Sequence, residues 1–123
     1  MVDPVVQAMV EGKTFQDIIE LTPDEMLSFY NRGLELFEEK RLDDAADLFL
    51  FLTTLNPFVY EVWLAFAQVE QANQHWEASF QAFLQAIALK PREPEGYERL
   101  IEALKERGET EAAADFLAMK EAL

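Results

Sequence analysis

Residues 60–93 read YEVWLAFAQVEQANQHWEASFQAFLQAIALKPRE. The apolar and small residues of this stretch, Trp63, Phe66 and Ala67, then Ser79, Phe83 and Ala86, recur at helical spacing rather than at the alternation of a strand. The polar run Asn73-Gln74-His75 interrupts them, and Pro91 closes the stretch. The reading is two helices, one reaching about Ala72 and one over about 76–89. Moving 34 residues either way brings the same kinds of residue back. Phe29, Trp63 and Tyr97 share that interval, as do Gly33, Ala67 and Ile101; Ala45, Ser79 and Ala113; Phe49, Phe83 and Leu117; and Pro57 with Pro91.

A helix pair repeating every 34 residues is the tetratricopeptide period. The repeats are expected at about 26–59, 60–93 and 94–123, so the predicted fold is all-α: a tetratricopeptide-repeat array of three helix pairs. Thr22-Pro23-Asp24-Glu25 opens the first pair, Thr22 capping, Pro23 at the first helical position and Glu25 completing a capping box. That helix should run to about Glu39 and its partner over about Asp43 to Leu55. Asn56-Pro57 is then expected to open the third helix, with further helices at about 94–106 and 109–121. Gly33, Ala67, Ala45, Ser79 and Ala113 are small enough for paired helices to approach, and Phe49 and Phe83 are large enough to fill between pairs. No pair buries its apolar face alone, so the array must stack. Arg32, Glu70 and Ile101 depart from the pattern without breaking it.

Residues 1–22 lie ahead of the array, which occupies 23–123. They form a helical segment in which Val5, Val6, Met9 and Val10 make one amphipathic cluster and Phe15, Ile18, Ile19 and Leu21 another, separated by Gly12-Lys13-Thr14. Two readings stand beside each other. The segment caps the open side of repeat one, or Val5, Val6, Met9 and Val10 form a dimerisation arm.

The charge balance narrows the partners. Twenty-four Asp and Glu face ten Lys and Arg, a formal charge of −14. A phosphate backbone or an anionic lipid surface needs clustered cations, so neither nucleic acid nor stable membrane insertion is expected. No apolar run approaches the length of a membrane span, the start lacks the form of a signal peptide, and there is no cysteine. The chain reads as cytoplasmic.

Little in the sequence suits catalysis. His75 stands alone in a turn, metal-ligand spacing is absent, and the run Glu35, Glu38, Glu39 reads as a solvated helix face. Neither a glycine-rich phosphate loop nor a nucleophile elbow occurs. No enzyme, metal or cofactor is expected. What remains is surface for binding a protein.

In such an array the first helix of each pair lines the concave side. The inward positions expected there are Leu27, Tyr30, Leu34, Phe37 and Glu38; then Glu61, Leu64, Gln68, Gln71 and Ala72; then Glu95, Glu98, Glu102 and Lys105. The face begins apolar, becomes amide-rich and ends acidic. Apolar pockets beside amides suit an extended peptide, whose side chains fill pockets while its backbone bonds to amides. The expected groove is Leu27, Tyr30, Leu34, Phe37, Leu64, Gln68 and Gln71. The competing reading has Tyr30, Leu34 and Phe37 covered by the N-terminal segment. Arrays that hold an acidic heat-shock C-terminus need cations on this face, and the charge here repels such a ligand.

From Gly12 to Leu89 the chain resembles the class II chaperones of bacterial type III secretion, which guard hydrophobic translocators. The resemblance rests on Gly12-Lys13-Thr14-Phe15, Leu21-Thr22, Lys40-Arg41-Leu42-Asp43-Asp44-Ala45, Phe49 and Phe51-Leu52. It continues with Trp63-Leu64, Gln71, Trp76, Phe83 and Ala86, and Gly108 to Leu117 looks like the family's third repeat. It implies an acidic cytoplasmic bacterial dimer that holds an extended segment of a hydrophobic secreted translocator and keeps it soluble before export. The alternative is a tetratricopeptide scaffold, or a needle-subunit chaperone, in another bacterial complex. Family members usually carry more sequence after the third repeat. Leu117 and Met119 are therefore expected to be exposed, inviting a partner chain at that end.

Overall fold

The computed structural model describes residues 3–123 and contains eight helices among them, with no strand. Two short helices, α1 (Pro4–Val10) and α2 (Phe15–Ile18), precede three antiparallel pairs. These are α3 (Pro23–Glu38) with α4 (Leu42–Leu55), α5 (Tyr60–Ala72) with α6 (Trp76–Leu89), and α7 (Pro94–Arg107) with α8 (Thr110–Glu121). Each second helix also packs on the first helix of the next pair, α4 on α5 and α6 on α7, so the pairs stack into an all-α tetratricopeptide array.

The start of α3 follows from its residues. Thr22 Oγ1 accepts from the Glu25 amide at 3.1 Å while the Glu25 carboxylate accepts from the Thr22 amide at 3.2 Å, so two otherwise unpaired donors are satisfied. A second such box, Thr14 with Asp17, starts α2. The third helix differs from expectation. Asn56 is extended, and its side-chain oxygen accepts from the Phe58 amide at 3.1 Å, turning the chain before the helix can start. The helix therefore begins at Tyr60 rather than at Pro57.

Three local devices repeat with the array. Lys40, Gln74 and Gly108, 34 residues apart, all adopt left-handed backbone with φ of 64°, 61° and 87°. The residue after each donates back across the helix end, Arg41 to the Leu36 carbonyl, His75 to Glu70 and Glu109 to Leu104, at 2.8–2.9 Å. This Schellman-type closure satisfies the helix's last carbonyls and reverses the chain. At the other end of the hairpins, Trp63 Nε1 donates to the Pro57 carbonyl at 2.7 Å and Tyr97 donates through its hydroxyl to the Pro91 carbonyl at 2.8 Å. Phe29 occupies the same repeat position with no polar atom, and it stays partly exposed, with Phe51 edge-on at 6.4 Å.

Two apolar clusters form the core. One joins α3, α4 and one side of α5 through Leu36, Ala45, Phe49, Leu52 and Val69; the other joins the opposite side of α5 to α6, α7 and α8 through Ala67, Phe83, Leu100 and Leu104. The small-residue positions sit where paired helices meet: Ala45, Ala67, Ser79 and Ala113 are all buried. Ser79 Oγ donates to the Ala67 carbonyl at 2.9 Å, which explains how a hydroxyl is tolerated there. Glu70, in place of the usual tyrosine, is buried with His75 Nδ1 at 3.2 Å.

Candidate peptide groove

The first helices of the pairs, α3, α5 and α7, lie side by side and form one face of the array. Three depressions follow one another along it. The first, about 450 Å³, lies between α3 and α5. Pro23, Met26, Leu27 and Tyr30 line one side and Val59, Glu61 and Val62 the other, with Gln16 and Asn56 completing it. The second, about 390 Å³, lies between α5 and α7. It shares Tyr30 and Glu61 with the first, and adds Tyr60, Leu64, Ala65 and Gln68 together with Lys90, Glu93, Glu95 and Arg99. The third, about 230 Å³, shares Gln68 and Arg99 with the second and adds Phe37, Gln71, Ala72, Glu102 and Glu106. Shared walls make the three a continuous groove.

Six of the seven residues expected to form the groove, Leu27, Tyr30, Phe37, Leu64, Gln68 and Gln71, line these depressions. They differ in how much they offer. Leu27 is 55% exposed, whereas Leu64 is 7% exposed and forms the groove floor. Gln71 Nε2 donates to Glu106 Oε1 at 3.2 Å, so its amide is already engaged across the groove. Leu34 is half-buried and packs against the first core cluster. A charge at Leu34 would disturb packing as well as binding, which makes Leu27 the cleaner position to probe.

On α7 the inward register is shifted from the one expected. Glu95 and Glu102 face the groove, but Glu98 pairs with Lys120 of α8 at 3.3 Å, and Lys105 lies beside Ala113, Ala114 and Leu117 of α8. Arg99 and Glu106 face inward instead. Sequence reasoning missed Arg99, Lys90 and Glu93. Counting helical steps from Glu95 finds Arg99; Lys90 and Glu93 come from the loop before α7, which repeat register does not describe.

The electrostatics grade along the groove. Lys90 Nζ lies 3.2 Å from Glu61 Oε1 and 5.0 Å from the centre of the Tyr60 ring, and Arg99 lies 3.6 Å from Glu95. Burial raises the Tyr30 hydroxyl above its usual 10.0, and Glu61 and Glu95 raise it further. Tyr60 is raised the same way, first by burial and then by Glu95 and Glu93. Both phenols stay protonated at neutral pH; the Tyr60 hydroxyl is buried without a hydrogen-bond partner among the described residues.

The N-terminal segment does not cover the face. Helix α1 packs only on α2 and α2 packs on α4, so Tyr30, Leu34 and Phe37 are not under either. What α2 contributes is Gln16, whose side-chain oxygen accepts from Asn56 Nδ2 at 2.8 Å beside the first depression. Val5, Val6, Met9 and Val10 are all exposed. Leu117 and Met119 are exposed at the other end, as expected. Among the described residues no three His, Asp or Glu side chains converge as metal ligands, and no helix is long and apolar enough to cross a membrane.

No protein-family model matches the chain, and no curated protein matches its sequence. Solved structures do match in fold. The type III secretion translocator chaperone SycD of Yersinia enterocolitica superposes with a TM-score of 0.83 at 18% identity, covering 89% of this chain and 82% of SycD. SycD in complex with a peptide of the translocator YopD matches with a TM-score of 0.76 at 18% identity, covering 84% of this chain and 79% of that one. A chain from a type III secretion complex of Aeromonas hydrophila gives a TM-score of 0.87 at 18% identity, over 98% of this chain and 81% of that chain. The chain spans 64% of the length of its match in the CopN–Scc3 complex, which has a TM-score of 0.83 at 19% identity over 88% of this chain. The chain thus has the tetratricopeptide fold of the type III secretion translocator chaperones.

Proposed function

We propose that this protein is a cytoplasmic type III secretion chaperone. It holds an extended segment of a hydrophobic secreted translocator in the groove formed by α3, α5 and α7, and so keeps that client soluble before export. The observation that carries the reading is the continuous groove, apolar at Leu27 and Tyr30 and amide-bearing at Gln68. Its form suits an extended ligand that buries side chains and bonds through its backbone. The occurrence of a translocator peptide on the same fold in SycD supports it.

Leu27, Tyr30, Phe37, Leu64, Gln68 and Gln71 are the proposed contacts, with Leu34 packing behind them. The exposed residues Val5, Val6, Met9 and Val10 are proposed to pair with a second copy of the chain. Burying that apolar surface against its own kind would remove it from water. The chemistry is binding alone, without cofactor or catalysis. The isolated His75 beside Glu70 holds a turn in place.

The test is affinity purification from the native bacterium followed by mass spectrometry, with Leu27→Glu as the paired control. A single apolar secreted protein, recovered with the natural chain and lost with Leu27→Glu, supports the reading. A partner retained by Leu27→Glu would refute the groove. Placing a carboxylate in an apolar depression should weaken binding by about tenfold to a hundredfold.

A further inference from the structure

The groove joins two unlike chemistries. Its first depression is apolar except for Gln16, Asn56 and Glu61. Past Tyr30 the walls carry Glu61, Glu93 and Glu95, then Glu102 and Glu106, against Lys90 and Arg99. Both cations are already held within the chain, Lys90 by Glu61 and the Tyr60 ring, Arg99 by Glu95. Five carboxylates against two engaged cations leave the second half of the groove negative, in a chain whose overall charge is −14. The tyrosine hydroxyls are raised first by burial, and Glu61, Glu93 and Glu95 add to it by opposing their ionisation.

We infer that the groove selects a client segment in which a bulky apolar residue is followed or preceded, about three residues away, by lysine or arginine. This inference rests on the groove reading above. The apolar side chain fills the depression between α3 and α5 at Leu27. The cation reaches the carboxylates between α5 and α7, with Glu93 as its main partner. The spacing comes from geometry. Neighbouring packed helices lie about 8–10 Å apart, and a ligand in the extended polyproline II form advances about 3.1 Å per residue and returns a side chain to the same face every third residue. Adjacent depressions are therefore about three residues apart along a ligand. Charge of this kind acts chiefly on specificity, by rejecting acidic segments of equal hydrophobicity. An apolar client without a cation at that position would leave Glu93 facing apolar atoms.

The experiment is selection of random peptides of about ten residues, long enough to span the groove, against the full-length protein at low salt. The selected pool is then rebound to Leu27→Glu, Glu93→Gln and Glu93→Lys, each first checked for native helicity. The expected pool is lost on Leu27→Glu. It carries Lys or Arg about three residues from a bulky apolar residue, and weakens about tenfold on Glu93→Lys, with a smaller loss on Glu93→Gln. Added salt should weaken it too. A pool that depends on Leu27 but shows no basic preference, or is indifferent to both Glu93 variants, overturns the inference and leaves the groove standing. A pool indifferent to Leu27→Glu, or no selectable peptide at all, overturns the groove reading and this inference with it.

Discussion

Gly33→Ala should destabilise the protein, against the usual sign of such a change. A glycine inside a helix normally costs about 0.5–1 kcal/mol relative to alanine, because its backbone has more freedom to lose. Gly33 sits in the middle of α3, so propensity alone predicts a gain. The packing reverses it. A Cβ built at Gly33 would lie 2.6 Å from both Cε1 and Cζ of Phe49 and 3.1 Å from Cε2. Phe49 has no exposed surface and is one of the largest fully buried side chains, so its ring has nowhere to move. Overpacking of this kind costs about 1–3 kcal/mol, and a contact at two ring atoms of an immobile side chain belongs in the upper part of that range. Subtracting the propensity gain leaves a loss of about 1–2 kcal/mol. For a chain of this length the unfolding entropy is about 0.26 kcal/mol per degree, so the midpoint should fall by about 4–8 °C. Circular dichroism melts of Gly33→Ala, Phe49→Leu and the double variant make the assay. The double variant should lose less than the two single losses combined, by about 1 kcal/mol or more, because the smaller side chain makes room for the methyl. A melting point equal to or above that of the natural protein, or strict additivity, would refute the close approach of α3 and α4.

The other expectations follow from the same geometry. Ala45→Trp places a large ring where α4 has no free surface, and should cost more than about 3 kcal/mol, seen as loss of cooperative unfolding in the first pair. Retention of a native melt would undermine the repeat register. Lys40→Gly and Gln74→Gly should each stabilise by about 0.5–1 kcal/mol, since a left-handed φ strains any residue with a Cβ; denaturant midpoints that fall instead would contradict the turn geometry. Stability should decline as pH rises past about 10. The raised Tyr30 and Tyr60 hydroxyls stay protonated in the folded chain after the unfolded chain has released its protons, so alkali favours unfolding. Tyr30→Phe should flatten that decline in melts taken across the range.

The helix pairs were legible because their 34-residue interval repeats in several residue classes at once: aromatic at Phe29, Trp63 and Tyr97, small at Ala45, Ser79 and Ala113. Each class answers to a physical requirement that the structure realises, hydrogen bonding to a preceding proline carbonyl at Trp63 and Tyr97 (though not at Phe29) and close helix approach at the small residues. The turns were less legible. Glycine announces the left-handed position at Gly108, but Lys40 and Gln74 hold the same backbone with side chains that do not advertise it. The start of α5 was misplaced because Asn56 can either end one helix or cap the next, and only its bond to Phe58 decides. The groove was readable on α3 and α5, where apolar and amide residues mark the inner face. On α7 every inward candidate is charged; the apolar period of Tyr97, Leu100, Ile101 and Leu104 marks the buried face but not which flanking charge turns to the groove, and Glu98 pairs with α8 while Arg99 faces inward. The position of α1 carried no signal, since an amphipathic helix reads alike whether it lies on its own array or on another chain.

In the proposed function the inner face of α3, α5 and α7 holds the client. The most direct test places a photo-crosslinking amino acid at Leu27 in the groove, and separately at Leu84, an exposed leucine on the outer helix α6. The native bacterium is then irradiated. A crosslink from Leu27 to a hydrophobic secreted protein, and none from Leu84, is expected. Crosslinks from Leu84 alone, or the same partner captured from both positions, would contradict it.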